Sequence, residues 1–420
     1  MKKWLSMLMA AVLLVTAAAA LADDVITLRV WGGVPAEAGP QASIDLFNEA
    51  FKDKGIQAEY ERFVNDDTGN LKLETSLLAG NDVDLYMTYT PAVLQKRASG
   101  NMALDLTELV ERDGFDIEGI FGKMALAYYI DGKPYSLPTK MDQYGIVINK
   151  DMFDAAGIEV PTEWSFEEFR EIARKLTHGE GDSKVYGMFF NSQQDLLYPF
   201  NYFSVQTLGG DPLYHADGTA NVNDPVNVAA IELVNNMMNV DHTAPTHTDS
   251  VTQKLSQEGM FITGKSAMTI GPWMVRSIKD RDNYPHDGVR TYTQGGYGDH
   301  LCINPKSKHI DAAWEFMKWY ATEGMLPLTS GGRVPSANTY DSVEVTEYFL
   351  KGAEDLLDAE TAQNVLIVPA SNHAVPSITT KLPEINKVLT EELENIYTGV
   401  KTVQQGMDDA QARAEALLAK

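Results

Sequence analysis

The chain has only one cysteine, Cys302, among its 420 residues. That excludes an internal disulfide, so the fold must be held by buried apolar surface, which a 44% hydrophobic composition can supply. Basic charge is also scarce, with 34 lysines and arginines against 59 acidic residues and a net charge of -25. Such a balance repels nucleic acid and anionic lipid surfaces and suits a freely diffusing protein. Beyond the N-terminus no apolar run reaches the roughly 18 residues of a membrane-spanning helix. Internal repeats and low-complexity segments are lacking too.

What is present begins with a processing signal. Lys2 and Lys3 precede an apolar stretch from Leu5 to Leu21, and Ala20-Leu21-Ala22 forms a small-x-small cleavage site before Asp23. Residues 1–22 therefore read as a signal peptide, with export across the inner membrane. Cys302 is far from that site, so no lipid-modified cysteine is expected at the new N-terminus.

The exported part alternates β and α patterns. Ile26 to Trp31 alternates like a strand, Gly32-Gly33 interrupts it, and Ile44, Phe47 and Phe51 mark one face of a helix ending near Lys54-Gly55. Leu71 to Leu78 predicts a second helix stopped at Gly80-Asn81, and Val83 to Met87 a strand ending at Thr88-Tyr89-Thr90-Pro91. Asp131-Gly132 predicts a hairpin turn between Tyr128-Tyr129-Ile130 and Tyr135-Ser136-Leu137. Tyr144 to Asn149 reads as an apolar strand, and Ser165-x-x-Glu168 as a capping box opening a helix with Phe166, Phe169, Ile172, Ala173 and Leu176 inward. Further helices follow around 312–322, 382–397 and 402–418. About 400 residues in this pattern point to two α/β lobes. Ligands of open α/β sheets sit beyond the strand carboxyl ends, where Trp31 and Tyr89 fall.

Two motifs are discounted. Gly259-Met260-Phe261-Ile262-Thr263-Gly264-Lys265-Ser266 matches the pattern of a phosphate-cradling loop, but a helix-like stretch precedes it and the strand-like Ala267 to Ile270 follows. Phosphate cradling needs the opposite order. His242 and His247, flanked by Asp241 and Asp249, lack the further ligands a metal centre requires. No nucleophile elbow accompanies them, and neither a catalytic residue, a metal nor a cofactor is expected.

Several stretches resemble extracellular solute-binding proteins of family 1, the class that includes maltose-binding protein. They run from Leu78-Ala79-Gly80-Asn81-Asp82-Val83-Asp84 through Asp131-Gly132-Lys133-Pro134-Tyr135, Asn149-Lys150-Asp151-Met152-Phe153 and Trp164-Ser165-Phe166-Glu167-Glu168-Phe169. They continue through Gly264-Lys265-Ser266-Ala267-Met268-Thr269-Ile270-Gly271-Pro272-Trp273, Ala312-Ala313-Trp314-Glu315-Phe316 and Tyr397-Thr398-Gly399-Val400-Lys401-Thr402-Val403. The resemblance implies a two-lobed periplasmic-binding-protein fold of type II, with ligand in the cleft and three crossings between lobes, near 139–142, 296–299 and 325–332. Lobe 1 would comprise 23–140 plus 299–325, and lobe 2 would comprise 141–298 plus 326–420. The implied function is capture of a carbohydrate in the periplasm and delivery to the transmembrane permease subunits of an ABC importer, as a monomer, with no enzymatic activity and no nucleic acid partner. Two rivals are a binding protein for a phosphorylated polyol or acidic sugar, and a secreted glycoside hydrolase.

A sugar offers a C–H face and a rim of hydroxyls, which call for aromatic platforms and charged or amide groups. Trp31, Tyr89, Tyr144, Trp273 and Tyr297 are the candidate platforms. Trp314 and Trp319 lie in a periodic helix and are expected to pack. By resemblance Asp142 occupies the place of a sugar-contacting carboxylate. Arg333 would reach a hydroxyl pair or a carboxylate, or else form a salt bridge between lobes. The resemblance is incomplete, because Gly32-Gly33-Val34-Pro35 and Ser377-Ile378-Thr379-Thr380-Lys381-Leu382-Pro383 lack contacts a maltodextrin site would need.

Overall fold

The computed structural model describes residues 25–419 apart from 81–82, 144–145, 162–163, 194, 271–285, 290–294, 355–356, 358 and 364–380. At 142–143, 206, 286–289, 295–296 and 361–362 it describes the backbone alone. The strands are β1 (Ile26–Gly32), β2 (Ile56–Arg62), β3 (Leu85–Thr88), β4 (Leu137–Gln143), β5 (Ile146–Asn149), β6 (Met268–Ile270), β7 (His286–Val289) and β8 (Gly295–Ile303). They make a five-stranded sheet in the order β2-β1-β3-β8-β4 and a three-stranded sheet in the order β6-β5-β7.

In the larger sheet β1 runs parallel to β2 and β3, while β8 is antiparallel to β3 and β4. Parallel neighbours need long crossovers, and helices Pro40–Ala50 and Asp67–Ala79 lie in the connections that follow β1 and β2. The caps explain the boundaries. Asp66 accepts the Gly69 N–H at 2.7 Å, and Gly80 closes the same helix in the left-handed region at φ 69°. The capping box at Ser165 and Glu168 is present and opens helix Phe166–Leu176.

Each sheet has its own core. Leu28, Val30, Leu85, Met87, Leu301 and Ile303 pack on one face of the larger sheet with Ile44 and Phe47 and with Trp314 and Phe316 of helix Ile310–Thr322. Because side chains alternate along a strand, Trp31, Tyr86 and Cys302 face the other side, against Leu73, Leu77 and Leu94. Around the smaller sheet, Ile146, Ile148, Met268 and Ile270 pack with Phe169 and Leu176, with Ile231 and Val234, and with Ile385, Leu389, Met407 and Ala410 from the two C-terminal helices.

The chain changes sheets between β4 and β5, across residues 144–145, and between β7 and β8, across 290–294. The two strands at these passages pair with each other, Met141 opposite Tyr297 and Asp142 opposite Gly296, with an irregular register around Lys140. Segment 333–336 clamps onto the same place, since the Met141 N–H donates to the Val334 carbonyl at 2.9 Å and the Ser336 hydroxyl to the Pro138 carbonyl at 2.8 Å. Met325, Leu328 and Ala337 still belong to the core of the larger sheet. The chain meets the smaller sheet again at Leu357, which packs on the cluster of Val147 and Phe261, and at helix Ala359–Ala362, which lies beside β7.

One element differs from expectation. Around Asp131-Gly132 the turn is present, with both residues at positive φ, but only the single bridge Ile130–Lys133 follows from it. Residues Lys123–Tyr128 form a 3₁₀ helix instead of the first hairpin strand. Tyr128 and Ile130 are buried in two different clusters, which breaks the alternation a hairpin needs.

Candidate functional site

The carboxyl ends of β1 and β3 point toward the place where β4 and β8 leave the larger sheet, because Thr88 pairs with His300 and Leu137 with Leu301. Several polar groups gather there. After β1 the chain turns at Gly32-Gly33, and the Gly33 N–H donates to the Tyr89 hydroxyl at 2.5 Å. The Tyr60 hydroxyl on β2 donates to the Val34 carbonyl at 2.7 Å. A Cβ on Gly32 would stand 2.6 Å from that hydroxyl, so the close approach requires glycine.

Asp299 on β8 is the charged centre. Arg333 donates from Nε to its Oδ2 at 3.0 Å, and the Lys140 ammonium lies 3.9 Å from Oδ1. The Asp299 and Arg333 side chains are 5% and 15% exposed, so this pair is largely withdrawn from water. Among the described residues no acceptor reaches the Nη atoms of Arg333. Burial pulls the guanidinium down, but Asp299 and the neighbouring tyrosines outweigh it and hold Arg333 above its ordinary value. Burial likewise raises the Tyr60, Tyr89 and Tyr320 hydroxyls, which stay protonated. Two cations thus share one carboxylate beside three neutral phenols, an arrangement able to bind hydroxyl pairs or an anionic group.

The residues singled out from sequence fall into three groups. Tyr89 and Arg333 belong to this cluster. Trp31 and Tyr297 are packed at 7% and 4% exposure. The Trp31 ring lies under the Lys72 ammonium at 5.1 Å with its indole N–H buried and unpartnered, and Tyr297 donates its hydroxyl to the Phe121 carbonyl. Neither ring is free to present a face, because alternation turns Trp31 toward helix Asp67–Ala79 and Tyr297 packs in a tilted pair with Tyr128 at 5.5 Å. Tyr144 and Trp273 lie outside the described residues, and of Asp142 only the backbone pairing with Gly296 is described. Arg333 pairs with Asp299 on the larger sheet, so its salt bridge does not join the two cores. Sequence reading missed Asp299, Lys140 and Tyr60, and the only signal was that Lys140 and Asp299 fall within the expected crossings 139–142 and 296–299.

The discounted motifs have ordinary surroundings. Helix Gln257–Ile262 precedes Gly264 and β6 follows it, the reverse of a phosphate loop. His247 shares a hydrogen bond with Ser192, His242 with the Met238 carbonyl, and Asp241 is paired with Arg170 and Arg174. Among the described residues no group of three or more His, Cys, Asp or Glu side chains could hold a metal.

Comparison with known proteins accounts for this architecture. A putative binding protein of Brucella abortus is 24% identical over 83% of this chain and 83% of its own length. The sn-glycerol-3-phosphate-binding periplasmic protein UgpB of Yersinia enterocolitica is 25% identical over 97% of this chain and 95% of its own. Among solved structures, an ABC substrate-binding protein of Listeria monocytogenes in complex with cycloalternan superposes with a TM-score of 0.76 at 19% identity, covering 94% of this chain and 98% of that one. UgpB of Mycobacterium tuberculosis in complex with glycerophosphocholine gives 0.73 at 17% identity with the same coverage. These neighbours have the two-lobed type II fold of periplasmic binding proteins. The family model for bacterial extracellular solute-binding proteins matches residues 35–325, and the chain belongs to that family of substrate-binding proteins.

Proposed function

We propose that this protein is the periplasmic receptor of an ABC importer and captures a carbohydrate or a closely related polyol between two lobes. In this reading residues 1–22 are removed on export, the mature chain acts as a monomer without enzymatic activity, and the closed form is what the permease subunits recognise. In sequence terms lobe 1 is 23–140 with 299–325 and lobe 2 is 141–298 with 326–420, but segment 326–337, whose Leu328 and Ala337 pack in the core of the larger sheet, goes with lobe 1. Binding that favours the closed arrangement shifts the population toward it. The observation that carries the proposal is the cluster of Tyr60, Tyr89, Lys140, Asp299 and Arg333 beyond the carboxyl ends of β1 and β3, on the paired passages β4 and β8. Tyr144, Trp273 and Asp142 would complete it, while Trp31 and Tyr297 would back it from within.

A second reading, a phosphorylated polyol or acidic sugar as ligand, draws on the two cations that share Asp299 and on the two relatives named UgpB. A glycoside hydrolase is disfavoured because the Asp299 carboxylate is engaged by Arg333 rather than free to act as an acid or base.

Thermal unfolding of the mature protein with maltose, cycloalternan, tagatose, ribitol, sn-glycerol 3-phosphate and glycerophosphocholine tests the proposal. Ligand at about 100 times its dissociation constant adds roughly 2.7 kcal/mol of stability. A rise in melting temperature with one class supports capture and names that class. A flat response across the whole panel would discard both readings.

A further inference from the structure

The smaller sheet has an end that faces the passages. Strand β5 starts at Ile146, directly after residues 144–145, and Ile270, the last residue of β6, pairs with it. The chain before Asn191 runs beside β6 in the same direction, since Tyr186 bridges Ser266 in parallel and the Phe189 N–H donates to the Met268 carbonyl at 3.0 Å. It therefore leaves at that same end, turning at Asn191 in the left-handed region at φ 53°. The loop that follows is tied down. Gln193 donates to the Leu255 carbonyl, and Leu196 packs in the core of the smaller sheet.

Asp195 stands in this loop as a half-buried side chain. Its Oδ1 accepts the Leu197 N–H at 2.7 Å, and among the described residues its Oδ2 has no partner. That second oxygen does not belong to the unpartnered atoms sealed from water, so a solute can reach it. Burial nonetheless raises the carboxyl to about 6, with no cation near enough to oppose the rise. A group open to solvent yet strongly desolvated lies at the floor of a recess and not on a convex surface. Other withdrawn carboxylates are compensated, Glu74 by Lys96 and Arg97 and Glu392 by Lys401 and Arg413. Asp195 has no such cation.

An uncompensated charge withdrawn from water is costly, and an occupant of the recess can offset that cost. A carboxylate has about four lone-pair sites, of which the Leu197 N–H uses one. Hydroxyl groups supply the donors that the others lack. A phosphate oxygen at neutral pH supplies none and adds a second negative charge.

We propose that Asp195 is a solute-contacting residue of the second lobe, whose carboxylate accepts hydrogen bonds from hydroxyl groups of the captured ligand. The inference rests on the capture reading above and narrows it. The ligand turns a hydroxylated end toward the smaller sheet, and any anionic group it carries lies at the Arg333 side. Specificity then follows from a carboxylate left unmet by any analogue that lacks those hydroxyls.

The test is calorimetric titration of wild type and Asp195→Asn with maltose, ribitol, sn-glycerol 3-phosphate and glycerophosphocholine, beside melting curves of both ligand-free proteins at pH 7. The substitution keeps an oxygen for the Leu197 N–H and removes the charge. Binding of at least one probe by wild type is expected, with roughly ten-fold or greater weakening in the variant. The ligand-free variant should melt no lower than wild type, because an unpaired charge has gone. Loss of melting temperature together with affinity would show that the carboxylate only holds its own loop, and would overturn the assignment. Weakening confined to glycerophosphocholine would put a cation at Asp195 in place of hydroxyls, and would overturn it too. Unchanged affinity in the variant would do the same while leaving capture intact. Absence of binding by wild type to every probe would remove capture and this assignment together.

Discussion

Asp299 holds Arg333 through Nε alone, at 3.0 Å, and leaves the rest of the guanidinium without a hydrogen bond among the described residues. The pair sits where the larger sheet meets the passages, so one contact serves two purposes. It satisfies a buried carboxylate, and in the proposed reading it aims a fork of donors at a solute oxygen.

Replacing Arg333 by Met should therefore cost both stability and binding. Removing one partner of a buried ion pair typically destabilises by about 3 to 5 kcal/mol, with Lys140 at 3.9 Å offsetting part of that here. Urea unfolding of Arg333→Met, Asp299→Asn and the double variant measures the coupling. The double variant should lose less than the sum of the singles, and strict additivity would show that the pair contributes nothing.

Gly32→Ala should destabilise by about 1 to 3 kcal/mol, because the new Cβ would press on the Tyr60 hydroxyl at 2.6 Å and on its ring at 2.8 Å. The same substitution in a Tyr60→Ala background should be nearly neutral. If the cost persists there, the glycine is needed for some reason other than space.

His300 predicts an acid-sensitive fold. Burial holds its imidazole at about 4, against an ordinary value of 6.5, with the Ser136 hydroxyl and the Tyr297 carbonyl as its partners. Between those values the unfolded chain binds more protons than the folded one, so stability falls as pH drops through the window. Asp195 acts in the opposite direction. Burial raises its carboxyl to about 6, and its contribution is full below 3.8 and lost as pH rises through 6. Melting curves from pH 7 to pH 4 should accordingly flatten in His300→Gln and steepen in Asp195→Asn. Unchanged slopes would show that neither group differs between folded and unfolded states.

Trp273→Ala should weaken binding of whichever probe stabilises the protein by about 1 to 3 kcal/mol, from lost apolar burial and stacking. Titration against wild type checks this, and an unchanged dissociation constant would take Trp273 out of the site.

Much of the fold was legible because its signals are local. The capping box at Ser165 and Glu168, the glycine stop at Gly80 and the periodic helices Ile310–Thr322, Leu382–Tyr397 and Val403–Leu418 each depend on residues within a few positions of one another. The site was legible only in part. Tyr89 and Arg333 stood out as an aromatic and a cation near strand ends or crossings, but Asp299, Lys140 and Tyr60 acquire meaning only when β8, β4 and β2 are brought side by side. Trp31 misleads for a related reason. Its place at the end of β1 suggests exposure, yet pleating turns its ring inward, and period two along one strand does not say which face a helix will cover.

The lacing of β4 to β8 limits how the molecule can move. Two tapes joined along their edges flex easily across their common face but resist sliding past each other, since sliding would break every rung of the ladder at once. The irregular register around Lys140 is the natural crease, and the clamp from Val334 and Ser336 stiffens the tape on its outer edge. On the capture proposed above, opening would then reduce to a single angle, like the cover of a book on its spine. A solute would set how far that angle closes but not its direction, leaving a permease one scalar quantity to read whatever the chemistry inside.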